Sequence, residues 1–162
     1  MPYLIDGYNL LRAVQRYEEF AMLTDVQMCR IISDFLHCVR DRGHIVFDGI
    51  GPPDKRELGG IHGVEVYFSG ENREADDIIE QKILDNSAPK SLVVVSSDNR
   101  LRRAAKKRKA TAVRAEPFWA FMCQQLEKQA NRPAPEPSQK RNGVTEHEAD
   151  LWMDAFGMDE DK

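Results

Sequence analysis

Cysteine is scarce in this sequence and never clustered. Cys29, Cys38 and Cys123 are odd in number, far apart and free of any C-x-x-C pair, which argues against a disulfide framework and against a zinc site. A reducing compartment fits that usage, and a cytoplasmic location is the expectation. Free cysteines of this kind are ordinarily small core residues. Long apolar runs are missing too. No stretch approaches the ~18 residues of a membrane span, and no charged start leads into an apolar segment of the secretory type. Neither a membrane partner nor an export signal is expected. Glycine is absent where nucleotide-binding folds need it. The turn after the first apolar run reads DGYNLLRA, not G-x-G-x-x-G, and there is no P-loop. Tyr8 stands where a haloacid-dehalogenase-type phosphatase would carry a second aspartate, two residues after Asp6. The chain shows no internal repeat.

What is present is enough for one domain. The 162 residues can bury a real core, and 41% apolar residues argue against a disordered chain. The net charge of −4 is unevenly spread. Residues 1–130 hold 19 basic and 19 acidic residues, so the whole excess lies in residues 131–162. Within the balanced part, RLRRAAKKRK (100–109) places seven basic residues in ten.

Short apolar runs alternate with helical patterns through residues 1–130. YLI (3–5), HIVFD (44–48), VEVYF (64–68), SLVVVSS (91–97) and TAVRA (111–115) read as strands. The continuous β-branched run 91–97 is of the kind buried on both faces of a parallel sheet. Thr24 with Gln27 forms a capping box for a helix whose apolar residues recur from Val26 to Val39, with Gly43 as its stop. Residues 73–86, 98–109 and 116–129 read as further helices, and 49–60 as a polar loop. Such alternation predicts an open parallel α/β sheet of about five strands, in order 3-2-1-4-5. RPAPEPSQKRNG (132–143) then reads as a linker. TEHEADLWMDAFGM (145–158) follows as a short acidic helix with Thr145 and Glu148 as capping box and Leu151, Trp152 and Phe156 as apolar face. The expected organisation is a domain over 1–130, then a linker and helix over 131–162.

Acids recur at one place in this pattern. Asp6 follows the first strand, Asp48 ends the second, Asp98 follows the fourth, and Asp76 and Asp77 open the helix after the third. The carboxyl edge of an open α/β sheet is where sites form, at the reversal of strand order. Strands one and four are neighbours there, so Asp6 and Asp98 are expected to face each other. Asp76 and Glu80 lie one helical turn apart. Each acid taken singly is also a cap or turn former. Their convergence from four segments is not something capping predicts. Carboxylates crowded together require a cation, and all-oxygen ligation selects Mg²⁺ or Mn²⁺. The basic run 98–109 is either a solvated helix face or a grip for a phosphate backbone, with Arg102, Arg103, Lys106 and Lys107 as its contacts. An acidic cup beside a basic ridge suits a metal-dependent nuclease. Tyr3, Tyr8 and Tyr67 read as core aromatics rather than stacking platforms.

LIDGYNLL with its Asp-x-x-Asn pattern, FDG, ENREADDIIE and VVVSSDNRL occur in the same order as in NYN-domain proteins. Over residues 3 to about 128 the chain resembles that family, a part of the PIN-like ribonuclease superfamily, and within it the bacterial YacP-like branch. The resemblance implies a PIN-like three-layer α/β/α sandwich and a metal-dependent endoribonuclease acting on RNA. Carried onto this chain, it makes Asp6, Asp76 and Asp98 the metal ligands for one or two ions. It matches Asn9 to the asparagine of the pattern and Asp48 to the acid after strand two. Asp77 falls where relatives carry a second acid, and Glu80 joins it as a secondary candidate. Members of the branch act on mRNA at ribosomes, which adds the ribosome to RNA as a partner to test. The rival of another class is a non-catalytic RNA- or ribosome-binding module on the same fold.

Overall fold

β1 (Tyr3–Asp6) is the central strand, and its neighbours follow from the crossovers. β2 (Gly43–Phe47) pairs with it on one side and β4 (Val93–Val95) on the other, both parallel. β3 (Val64–Phe68) and β5 (Thr111–Val113) form the edges, giving the order β3-β2-β1-β4-β5 that the sequence pattern predicts. The computed structural model describes residues 2–133. The expected acidic helix, with Thr145, Glu148, Leu151, Trp152 and Phe156, lies outside the described residues, as does most of the linker.

Five helices cover the sheet: α1 (Gly7–Val14), α2 (Asp25–Cys38), α3 (Ala75–Asp85), α4 (Asn99–Lys107) and α5 (Ala115–Ala130). Alternating strand residues sort them into two layers. Tyr3, Ile5, Ile45, Phe47, Val93 and Val95 pack against α1, α2 and α5. Leu4, Val46 and Val94 pack against α3 and α4. Both sheet faces are therefore covered, which is why strand four reads as an unbroken apolar run. Phe35 anchors the larger core, edge-on to Tyr3 at 5.7 Å and to Phe118 at 5.8 Å between ring centroids. Tyr3 is a core aromatic, as expected. Tyr67 lies half-buried under the ammonium of Lys82, 3.7 Å from its ring centroid.

Helix α1 is absent from the sequence reading, although Leu10, Leu11, Ala13 and Val14 form its buried side. Gly7 lets it leave β1 so abruptly: a Cβ there would sit 2.4 Å from ring carbons of Phe47. The capping box is present, with Gln27 N–H donating to Thr24 Oγ1 at 3.2 Å and Thr24 N–H donating to Gln27 Oε1 at 3.0 Å. Gly43 is not the helix stop. It is the first residue of β2, and α2 ends instead at Arg40, which takes φ 57°. The Arg40 N–H donates to His37 O at 3.2 Å and the Asp41 N–H to Leu36 O at 2.8 Å. That pair closes a Schellman motif with a non-glycine residue in the left-handed position. Lys109, φ 61°, ends α4 in the same way.

Candidate active site

The parallel sheet puts the carboxyl ends of β1, β2 and β4 on one edge. There the strand order reverses and helices diverge to opposite layers, so a cleft opens. Its volume is about 420 Å³, and Asp6, Asp48, Asp76 and Asp98 all line it. These are four of the five aspartates that the sequence pattern brings to that edge; the fifth, Asp77, does not line the cleft.

Three of the four have local structural partners. Asp6 ends β1 and caps α1, accepting the Asn9 N–H at 3.4 Å on Oδ1. Its other oxygen accepts the Ser96 hydroxyl at 3.0 Å. Asp48 reaches across to α3 and accepts the Ala75 N–H at 2.6 Å. It supplies the helix start that Glu74, the N-cap residue, does not. Asp98 caps α4, accepting from the Arg100 N–H at 2.6 Å and the Leu101 N–H at 3.4 Å. Asp76 accepts no hydrogen bond among the described residues.

The electrostatics are those of crowded acids. Burial pushes the Asp6 carboxyl up to about 6 from its ordinary 3.8; the bonds from Ser96 and Asn9 oppose this, while Asp76 and Asp48 add to it. Asp76 is also raised, by burial first and then by Asp98, with Arg100 pulling the other way. Nearby acids thus add to the burial that makes Asp6 and Asp76 harder to ionise. The donor set is all oxygen and anionic, so it fits a hard divalent cation in kind. Among the described residues, no three such donors are already drawn close enough to enclose an ion.

Other predicted residues go elsewhere. Asp77 and Glu80 do not line the cleft. Both are held by Arg100, whose Nη2 donates to Asp77 Oδ1 at 2.9 Å and whose Nε donates to Glu80 Oε1 at 2.8 Å. The basic run divides three ways. Arg100 clamps α3 to α4, and Arg108 donates to the backbone carbonyls of Leu84 and Asn86. Arg102 is half-buried and donates to Asn99 Oδ1 at 3.3 Å. Arg103, Lys106 and Lys107 are exposed. None of these reaches the cleft, whose basic wall is Arg12 and Arg16 instead.

Sequence reasoning missed that wall, together with Ser96, Ser97 and Glu116. Ser96 is fully buried, and its oxygen also accepts the Asp98 N–H at 3.1 Å. Asp6 and Asp98 are therefore joined through Ser96. Ser97 donates its N–H to Asn9 Oδ1 at 2.8 Å and its hydroxyl to Glu116 Oε2 at 3.1 Å. Two hydroxyls directly before a strand-end aspartate were the available signal. Arg16 stands 3.9 Å from Glu116 and is largely exposed. Tyr8 lines the cleft beside Phe47, with ring centroids 5.0 Å apart.

Comparison with known proteins agrees with this fold. The family model for the YacP-like NYN domain matches residues 3–154. Two similar solved structures are of Rae1 (YacP) from Bacillus subtilis. One is 22% identical at TM-score 0.66, covering 82% of this chain and 79% of that one. The other, a point variant, is 21% identical at TM-score 0.61, covering 85% and 87%. These likenesses establish a shared α/β PIN-like fold. No curated protein matches the chain. The chain belongs to the YacP-like NYN family.

Proposed function

We propose that this chain is a metal-dependent endoribonuclease that hydrolyses phosphodiester bonds in RNA. Four carboxylates from four separate segments, lining one cleft in which Asp6 and Asp76 both hold their protons more tightly than usual, carry this reading. Asp6, Asp76 and Asp98 would hold one or two Mg²⁺ or Mn²⁺ ions, with Asp48 as a further acid at the rim. A bound divalent ion supplies charge neutralisation at the phosphoryl oxygens and lowers the pKa of water. The protein's own part is orientation. Ser96 fixes one oxygen of Asp6 and the backbone of Asp98 together, and Asp48 ties the start of α3, and so Asp76, to the end of β2. Arg12 and Arg16 are placed to receive the RNA backbone at the cleft, and Arg103, Lys106 and Lys107 to extend that grip along α4. Hydrolysis would leave a 5′-phosphate and a 3′-hydroxyl. The nuclease domain would span residues 1–130, followed over 131–162 by a Pro-rich linker and a short acidic helix.

The capping roles of Asp6 and Asp98 favour one other reading, an RNA- or ribosome-binding module in which the acids serve the fold alone. Incubating the full chain with mixed single-stranded RNA in Mg²⁺, Mn²⁺ or EDTA separates the two. The nuclease predicts cleavage that needs metal and is lost in Asp6→Asn and Asp98→Asn. Silence in every condition, repeated on translating ribosomes, leaves the binding module.

A further inference from the structure

Asn9 occupies the first turn of α1, half-buried, and is fixed at two points. Its backbone N–H donates to Asp6 Oδ1. Its side-chain oxygen accepts the Ser97 N–H at 2.8 Å. That second bond settles the amide's orientation, because a backbone N–H can only donate and must face the oxygen. Ser97 is itself held, with its hydroxyl donating to Glu116 Oε2 and accepting the Ala115 N–H, both at 3.1 Å. The carboxamide is thus locked by β4, α5 and α1 together. Its nitrogen, a two-hydrogen donor, has no partner among the described residues, and Asn9 lines the same cleft as the four acids.

We infer that Asn9 acts through this nitrogen, donating to a non-bridging phosphoryl oxygen of bound RNA, and is not a ligand of the metal. The inference rests on the nuclease reading and deepens it. A metal would need the amide oxygen, which faces the Ser97 N–H and is made a poorer electron donor by that bond, whereas the nitrogen is left with both hydrogens to give. The phosphate is the substrate group that must enter the acid-lined cleft, and an anionic oxygen is the acceptor that a neutral donor binds most strongly. A neutral donor also helps offset the carboxylates without competing for the cation.

The test compares wild type, Asn9→Ala and Asn9→Asp as full chains. Mn²⁺ affinity is read by calorimetric titration without RNA, and affinity for a labelled single-stranded RNA by anisotropy in EDTA over a salt series. Melting midpoints control for folding. Asn9→Ala should leave Mn²⁺ affinity unchanged and weaken RNA binding on the order of tenfold, the scale of one hydrogen bond to a charged group. The salt slope should stay the same, because a neutral amide displaces no counterion. Asn9→Asp can still accept from Ser97 but adds a carboxylate to the crowded acids, so it should melt somewhat below wild type at neutral pH while staying folded, and it should not restore RNA affinity. Loss of Mn²⁺ affinity in Asn9→Ala, RNA affinity equal to wild type in that variant, or wild-type RNA binding by Asn9→Asp would each overturn the inference. RNA cleavage by wild type and Asp98→Asn is scored in the same preparations. Its failure would remove the nuclease reading without altering the affinity comparison.

Discussion

Ser96 and Asp6 are 90 residues apart in sequence and 3.0 Å apart in the fold. The β1–β4 register pairs Ile5 with Val95, so the next step brings these two side chains level at the sheet edge. Ser96 is the shared partner of Asp6 and of the Asp98 backbone, and it is fully buried. Ser96→Ala should therefore leave two groups short of a bond and cost about 1–3 kcal/mol of stability. It should also raise the Asp6 pKa further, because the lost bond is one that lowers it. Denaturant unfolding measures the first effect, and NMR titration of the Asp6 carboxyl the second.

Asp6 gives the folded protein a pH dependence of definite sign. Its carboxyl keeps a proton up to about pH 6 when folded, against an ordinary 3.8. Between those values the folded state binds the extra proton. Stability from this group is thus complete below the lower value, falls as pH rises through the window and stays low above it. Asp6→Asn removes that loss. Without metal it should be more stable than wild type by about 1–3 kcal/mol at neutral pH, and the gap should close towards pH 4. Paired melts across that range would expose an error as a constant or reversed gap.

Divalent cations should act in the opposite direction. If Asp6, Asp76 and Asp98 hold the ion, Mg²⁺ or Mn²⁺ at about one hundred times its dissociation constant should stabilise the wild type by about 2.7 kcal/mol. Asp98→Asn should lose most of that gain. An equal rise in both proteins would place the ion elsewhere.

Gly7→Ala tests the departure of α1 from β1. The added methyl meets the Phe47 ring at 2.4 Å, so the ring or the helix must move. A cost of about 1–3 kcal/mol is expected. Activity should fall more than stability alone explains, because Asn9 and Arg12 ride on the same helix.

Arg103, Lys106 and Lys107 are exposed on α4 and do not line the cleft. If they grip RNA, Arg103→Ala should weaken binding equally for all sequences and lower the salt slope by about one. An unchanged slope would leave the backbone contacts to Arg12 and Arg16.

The parallel α/β sheet and the placement of the four acids were legible because they follow from alternation and from where strands end, while the expected order 3-2-1-4-5 is one of the common doubly wound orders that such alternation allows. The α2 capping box was legible because it is local. The α1 helix was not, since its eight residues directly follow a strand and carry no turn signal beyond Gly7. The fates of Asp77 and Glu80 depend on Arg100, twenty or more residues away and read from sequence as part of a ridge. Gly43 misled as a helix stop because closure at Arg40 is set by backbone bonds that overcome the preference for glycine. Ser96 and Ser97 were hidden inside an apolar run, where a hydroxyl looks like one more strand residue until its partner across the sheet is known.

The acids of the cleft do not belong to one helical layer. Asp6 and Asn9 lead into α1, whereas Asp76 and Asp98 open α3 and α4 on the other face. A cation gripped by Asp6, Asp76 and Asp98 would act as a bolt through the sheet edge, tying together two layers that lie on opposite faces of the strands. Slippage of one layer against the other would then change the spacing of its ligands. Packing errors in the core one helical turn behind the cleft, at Trp119 or Ile79 for instance, would register first as a loosened grip on the ion.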